Sequence, residues 1–348
     1  MNKLTKVGLT ALAGSLATIA GANAGSLTVS GGSDITWLKT SANANSGAGG
    51  TGNPIGWKNN ITFGASGELD NGISWTANAY NSDAQALTSS NITFDLAGAG
   101  SLLVDNGAGG AGLDALDDKM PTAWEETHGT GITSGVVTVT GVHGNASLTY
   151  STPADALPAG TKIRIGWAPR ADGGGMQADL GNSGVGLGSN DGGGDAKDIT
   201  IEMAPVDGLS VFAGYAEISQ GQVGDSGSGD KEQGTYGFTY AAGPMSLGMQ
   251  QSYISNDSGS TTTVNYYDNV NWGVAFNVND NLSVSYAEYE SEENLGASGG
   301  QTLKIDSVQV TYNMGGATLK FAETNADDAQ YSADRDNKAT TIALGLAF

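Results

Sequence analysis

Apolar and polar residues alternate with a period of two along most of this chain. In the last segment, Ile342, Leu344, Leu346 and Phe348 alternate with Thr341 and other small residues. Successive side chains of a β-strand point to opposite faces, so this period predicts strands with one apolar and one polar or small-residue face. The same pattern recurs in four further segments, at 162–167, 199–203, 236–240 and 272–278.

The connections between these strands alternate in length. Seven short turns, such as 70–72 and 279–281, separate eight longer polar stretches, and the longest stretch is 105–144. A transmembrane β-barrel has short turns on one side of the membrane and long loops on the other. We therefore predict an all-β fold: a transmembrane antiparallel β-barrel of about 16 strands, forming one domain over 25–348.

The composition agrees with a barrel that has a wet interior. The chain has 55 glycines and only 39% hydrophobic residues among 348, which is little for a soluble globule with a central core. Its 36 acidic and 14 basic residues give a net charge of −22, which argues against a nucleic-acid partner. With two histidines and no cysteine, neither a zinc site nor a disulfide framework is expected.

The first 24 residues have the features of a secretory signal peptide. Lys3 and Lys6 precede an apolar stretch, and Ala22-Asn23-Ala24 forms an A-x-A cleavage pattern. We expect cleavage before Gly25 and export from the cytoplasm. Beyond Ala24, no apolar run reaches the roughly 20 residues of a spanning helix.

Three features together resemble the general, trimeric porins of Gram-negative bacteria, most closely those of alphaproteobacteria. They are the terminal strand ending in Phe348, the rhythm of turns and loops, and the long 105–144 segment after the fifth strand. The resemblance implies a homotrimer in outer-membrane lipid whose third loop, 105–144, folds into the lumen and constricts the pore. It also implies that Phe348 is the signal read by the barrel assembly machinery.

The long loop is acidic, and charged rings set ion preference in channels. We expect its acids to line the constriction, opposite two basic residues that share the inward phase of one strand. The candidate constriction residues are Asp114, Asp117, Asp118, Glu125, Glu126, Lys162 and Arg164. The predicted function is passive diffusion of small hydrophilic solutes and ions, with a preference for cations and without enzymatic activity or a cofactor. An ordinary solvated acidic loop is the alternative.

Other interpretations of the motifs remain open. Gly224-Asp225-Ser226-Gly227 resembles the nucleophile segment of serine proteases, but it lies in a Gly/Ser/Asp loop that produces such motifs readily. Paired acids could also perform glycosidase chemistry. Acidic external loops, such as 191–198, could hold a structural calcium ion. The alternative to a porin is a secreted or surface β-rich adhesin or binding protein without channel activity.

The segment 302–313 breaks the alternation. Its apolar phase shifts between Leu303 and Ile305 on one side and Val308, Val310 and Tyr312 on the other. Either a β-bulge or emergence of the strand above the membrane accounts for such a shift.

Overall fold

The computed structural model describes residues 24–43, 52–82, 87–143, 146–153, 155–170, 194–219, 230–255, 264–296 and 299–347. Within these ranges the chain forms sixteen antiparallel strands. They are β1 (Ala24–Ala42), β2 (Ile55–Glu68), β3 (Ser74–Ser82), β4 (Leu87–Asp95), β5 (Ser101–Asn106), β6 (Ala146–Ser151), β7 (Lys162–Ala168), β8 (Ala196–Val206), β9 (Leu209–Ile218), β10 (Lys231–Ala242), β11 (Met245–Ser255), β12 (Tyr266–Asn279), β13 (Leu282–Asn294), β14 (Thr302–Asn313), β15 (Ala317–Asp327) and β16 (Asn337–Ala347).

The strands close into a single barrel. Each strand pairs with its neighbours in sequence, and β1 pairs with β16 through a register that sets Ile35 opposite Leu344. Closure removes the free sheet edges and gives backbone N–H and C=O groups partners within the protein. The predicted fold class is thus confirmed. None of the helices in the described residues is long and apolar enough to cross a membrane.

The two faces of the wall differ in polarity. Large apolar side chains such as Trp57, Phe276 and Ile342 are exposed on the outer face. The alternate positions point inward and carry polar or small residues, of which Gln309 and Thr341 are buried. The alternation predicted for the five segments above is therefore confirmed. Exposed apolar residues around polar buried ones are the reverse of a soluble protein and suit a wall in contact with hydrocarbon.

The phase shift in β14 has a simple explanation. The pairings of β14 with β13 and β15 continue without a register shift from Leu303 to Tyr312, so the β-bulge interpretation is wrong. Leu303 and Ile305 face inward, where they pack with Tyr289 in a buried cluster. The outward side chains at this end of β14 are therefore Lys304 and its charged neighbours. The strand leaves the apolar band and continues above it.

A charged outer band covers the loop ends of β13–β16. On this outer surface, Lys304 Nζ lies 2.8 Å from Glu290, and Lys338 Nζ lies 2.8 Å from Glu323. Trp272 marks the lower limit of the band, since its indole N–H donates to Glu288 at 3.2 Å. Aromatic residues with one polar end are characteristic of membrane interfaces. The outer surface therefore changes from apolar to charged along these strands.

The outward face can be tested with one strand position near the middle of the apolar band. Leu344→Arg should destabilise the folded barrel by about 2–4 kcal/mol, since it places a charge in hydrocarbon. Asn60→Arg is the control, because Asn60 points inward and is exposed to the lumen. Urea titration of both variants in lipid vesicles measures the difference, and equal destabilisation would contradict the assigned faces.

Thr341 is not a suitable inward control, although its position between Ile342 and Thr340 suggests that an arginine there would point harmlessly into water. Its side chain is 5% exposed and its hydroxyl donates to the carbonyl oxygen of Thr130 in the long loop. A larger side chain at this position would displace the loop.

Candidate constriction site

The long segment between β5 and β6 lies against the inner face of the barrel wall. We call residues 107–143 the inner loop. Its backbone and side chains bond to inward residues of many strands, including Asp198 on β8, Gln233 on β10, Gln309 on β14 and Thr324 on β15. Each of these wall residues occupies an inward position of its strand and is buried; Gln309, for example, lies between the outward residues Val308 and Val310. The inner loop therefore lies on the opposite side of the wall from the exposed apolar band.

A single carboxylate holds both arms of the inner loop at its base. Asp198 accepts the backbone N–H of Leu113 at 2.9 Å and that of Val142 at 3.0 Å. Gly112 and Gly141 pass close to this carboxylate with a φ of 55° each, and a Cβ at either position would overlap it. Glycine is therefore required here both by the backbone conformation and by the lack of space.

An amide side chain holds the middle of the inner loop. Gln309 Oε1 accepts the N–H groups of Trp124 and Glu125, both at 3.0 Å, and Gln309 Nε2 donates to the Glu125 carbonyl at 2.8 Å. On the same stretch, Thr311 donates to the Ala123 carbonyl at 2.8 Å. These bonds replace the secondary-structure partners that an irregular backbone lacks.

Apolar contacts support the part of the inner loop nearest its base. Leu113, Leu116 and Val139 are fully or almost fully buried, and they form a cluster with Phe212 of β9 and Ile254 of β11. Burial of such side chains is worth roughly 1.5–3 kcal/mol each. The inner loop thus supplies a hydrophobic core that the wall alone does not have.

The tip of the inner loop reaches β15, β16 and the last external loop. Thr130 shares a 2.6 Å hydrogen bond with Thr324, and Asn337 donates to the Thr133 carbonyl at 2.7 Å. The Ser134 carbonyl accepts the N–H of Gln330 at 2.6 Å. The inner loop therefore follows the wall from β8 to β16.

Three of the five predicted acids come together on the inner loop. Asp118 hydrogen bonds to Glu126, and burial together with the charge of Glu126 raises the pKa of Asp118 to about 6. Burial, followed by the charge of Glu126, also raises the pKa of Glu125. Negative charges in a confined space disfavour one another's ionisation. We name Asp118, Glu125 and Glu126 the acidic cluster.

The other two acids have separate positions. Asp114 stays near the base, where it accepts the Gly110 N–H at 2.6 Å and lies 3.8 Å from His143 Nδ1. Asp117 lines a small cavity between the inner loop and the wall. Burial is the largest cause that raises the Asp117 pKa to about 7, and the neighbouring acids add to it.

The two predicted basic residues meet partners that the sequence analysis missed. Arg164 pairs with Glu202 of β8, and Lys119 of the inner loop also reaches Glu202, at 2.9 Å. Lys162 is opposite Glu202 in the strand register. The Arg164 charge is thus largely compensated on the wall itself. In the sequence, Glu202 lies between the outward apolar residues Ile201 and Met203, so its inward orientation could have been predicted.

A second set of basic residues lies on β2 and β15, the strands that flank the β1–β16 pair. Lys320 Nζ is 3.0 Å from Asp34 and lies 5.5 Å from the centre of the Trp124 ring. Lys58 is opposite Asp34 in the β1–β2 register. The charges of Lys58 and Lys320 both favour ionisation of Glu125. These two lysines, which sequence reasoning did not select, therefore lie near the acidic cluster.

The remaining motifs do not assemble a catalytic or metal centre within the described ranges. His128 stacks edge-on against Tyr289 at 5.6 Å, and burial lowers its pKa. The GDSG segment, Phe348 and the first 23 residues lie outside the described part of the chain. Asp198, at the end of the calcium candidate 191–198, faces inward and accepts hydrogen bonds from the inner loop, while 191–193 lie outside the described residues. No cluster of three or more His, Cys, Asp or Glu suited to a metal occurs among the residues described.

Solved porin structures share this fold. OmpF of Salmonella typhi, in complex with daunomycin, gives a TM-score of 0.64 at 15% identity, over 92% of this chain and 98% of its own. The anion-selective porin from Comamonas acidovorans gives 0.64 at 13% identity, over 93% and 99%. OmpT of Vibrio cholerae lacking loop L8 gives 0.63 at 11% identity, over 93% and 99%. Neither a protein-family model nor a curated protein sequence matches the chain. At these identities the likeness establishes the porin fold.

The role of Gln309 in holding the inner loop can be tested by an apolar replacement. Gln309→Leu leaves the backbone groups of Trp124 and Glu125 without partners, which should weaken this attachment by about 1–3 kcal/mol. Amide hydrogen exchange of residues 123–126 should then be roughly tenfold or more faster. Gln251→Leu is the control, since Gln251 points outward and bonds only to Tyr236 and Asp268. Equal exchange in both variants would contradict the assignment.

Proposed function

We propose that the protein is a porin that lets small hydrophilic solutes and ions diffuse passively across the outer membrane of a Gram-negative bacterium. The observation that carries the proposal is the inner loop, which is hydrogen bonded to inward residues of a barrel whose outer face is apolar. An inner loop of this kind narrows the lumen without filling it. The remaining passage lies between the acidic cluster and the inward polar residues of β1–β4.

The charge distribution supports a preference for cations. The acidic cluster contributes three carboxyl groups, whereas Arg164 and Lys119 share Glu202, and Lys320 is paired with Asp34. A low-dielectric wall concentrates the field of these three acids in the passage. The porin fold does not by itself determine ion preference, since the Comamonas acidovorans porin with the same fold is described as anion-selective. The charges at the constriction decide it.

Lys58 and Lys320 give the passage a second property. They lie on the wall near the acidic cluster, so that opposite charges border the same space. This arrangement produces a field across the passage rather than along it. Such a field orients dipolar solutes and disfavours apolar ones, which restricts diffusion to hydrophilic molecules.

Export and assembly follow the same proposal. Residues 1–24 act as a cleaved signal peptide, and Phe348 is the signal that the barrel assembly machinery reads. The mature barrel forms a homotrimer of the alphaproteobacterial type in outer-membrane lipid. This part of the proposal is supported by the resemblance of the turn rhythm, the terminal strand and the long third loop to those of the trimeric porins, together with the shared porin fold.

A conductance measurement separates this proposal from the adhesin alternative. The refolded protein, added to a planar lipid bilayer, should produce stepwise increases in current. Under a salt gradient, the reversal potential should have the sign expected for a cation-preferring channel. A folded barrel that inserts without any current would refute the channel. An adhesin is expected to bind a surface partner and to leave the bilayer resistance unchanged.

The acidic cluster predicts the direction of a charge-removal experiment. The triple variant Asp118→Asn, Glu125→Gln and Glu126→Gln should bring the cation-to-anion permeability ratio close to one. In the unmodified protein, the same ratio should fall as salt rises from 0.1 to 1 M, because the screening length shortens from about 10 to 3 Å. Reversal potentials measure both effects.

The matched control removes three acids from the outer surface. Glu288, Glu290 and Glu292 occupy alternate outward positions of β13. Replacing these three by Gln should leave the permeability ratio unchanged, since they do not border the passage. If the inner triple variant kept its original ratio, the inner loop would not form the constriction.

The basic side of the passage predicts the opposite change. Lys58→Met with Lys320→Met should raise the cation-to-anion permeability ratio, because two positive charges leave the passage while the acidic cluster remains. Lys304→Met with Lys338→Met provides the control, as both lysines lie on the outer band with Glu290 and Glu323. An unchanged ratio in the inner variant would place Lys58 and Lys320 away from the ion path.

A further inference from the structure

A small enclosed space separates the inner loop from the wall. It has a volume of about 10 Å³, room for one sphere the size of a water molecule. Asp117 and Thr138, from the two arms of the inner loop, line it on one side. Residues of three neighbouring strands line the rest: Gln250 and Ser252 of β11, Asn269 and Asn271 of β12, and Tyr289 of β13.

Three amide oxygens around this space have no hydrogen-bond partner among the residues that the structure describes. They belong to Gln250, Asn269 and Asn271, which are only 4%, 1% and 8% exposed. Two of the amide orientations are fixed by what the nitrogen atoms do. Gln250 Nε2 donates to the Leu116 carbonyl and to a threonine hydroxyl. Asn269 Nδ2 donates to the Val137 carbonyl at 3.0 Å and to Ser252 at 3.1 Å.

The three unpartnered amide groups at the space are therefore acceptors. A buried acceptor without a partner is unfavourable, and three of them next to the Asp117 carboxylate increase the cost. One water molecule has only two hydrogens to donate, so it cannot satisfy all four groups. A cation accepts several oxygen ligands at once and also compensates the carboxylate charge.

The chemistry of these ligands selects among cations. Calcium binds six to eight oxygens, including carboxylates and the amide oxygens of Asn and Gln, in flexible geometry. Besides Asp117 and the three amide groups, the hydroxyl-bearing residues Thr138, Ser252 and Tyr289 line the space. Magnesium requires a stricter octahedron and retains several waters, for which this space has no room. We propose that Asp117, Gln250, Asn269 and Asn271 form a calcium site that joins both arms of the inner loop to β11 and β12.

The electrostatic surroundings agree with a bound cation. The Asp117 side chain is half-buried, and the charges of Asp114, Asp118 and Glu126 nearby repel its own charge. A cation at the site offsets the repulsion among these acids. With one carboxylate among the ligands, we expect a dissociation constant on the order of 10⁻⁴–10⁻³ M, as in extracellular calcium modules.

Calcium binding is measured directly on the folded, detergent-solubilised full chain after treatment with EGTA. Isothermal titration with calcium chloride should show one saturable site for each chain, and titration with magnesium chloride should not. Asp117→Asn should weaken calcium binding at least tenfold, because it removes the charged ligand. Asp118→Asn removes the adjacent acid outside the space and should retain the site.

A second variant keeps the test informative if Asp117→Asn folds poorly. Asn269→Asp adds a second carboxylate at the same place and should tighten calcium binding at least tenfold. It should also enlarge the rise in thermal unfolding temperature that calcium produces. Loss of calcium affinity in this variant would overturn the site.

Two results would refute the proposal for the unmodified chain. Equal calcium binding by the unmodified protein and Asp117→Asn would assign the ion to surface acids. Greater thermal stability of Asp117→Asn, without any response to calcium, would show that a protonated Asp117 and a water molecule occupy the space. Neither result affects the channel proposal, because conductance in EGTA depends only on an unobstructed passage.

Discussion

Backbone hydrogen bonding imposes the constraint on which the rest of this structure depends. A chain that crosses hydrocarbon must pair its N–H and C=O groups internally, and a sheet achieves this only when its first and last strands meet. Here β1 and β16 pair over the register from Gly32 to Ala42. Once the sheet is closed, each strand has an outside and an inside, and the period of two assigns every side chain to one of them. Apolar residues then belong outside, which leaves the interior polar.

A polar interior creates the next problem, which is how to hold an irregular loop inside it. The wall offers few apolar contacts, so that the inner loop brings its own in Leu113, Leu116 and Val139. The rest of its attachment is polar. Buried side chains such as Asp198 and Gln309 bond to loop backbone groups that have no regular secondary-structure partners. Each of these side chains occupies an inward strand position, where a soluble barrel with a packed core would carry an aliphatic residue.

The sequence predicted the features that depend on strand periodicity. The outward phase of β16 and the inward phase of Arg164 are read from neighbouring residues alone, and the structure agrees with both. Side-chain partners across the lumen were not predictable, because they depend on the path of an irregular loop. For that reason Glu202 and Lys320 were missed, and the inward phase of Thr341 does not reveal its burial beneath the inner loop. The phase shift in β14 was visible in sequence, but its cause required the register of both neighbouring strands.

Attachment and ion preference use largely different residues of the inner loop. Backbone groups, apolar side chains and the half-buried Asp117 face the wall, whereas Asp118 lies with Glu125 and Glu126 on the proposed passage. Separate sets allow the passage charges to change without release of the inner loop. The separation is incomplete at Glu125, whose backbone is held by Gln309 while its side chain belongs to the acidic cluster. That residue fixes the distance between the acids and the wall, and so the inner loop positions charge along the proposed passage.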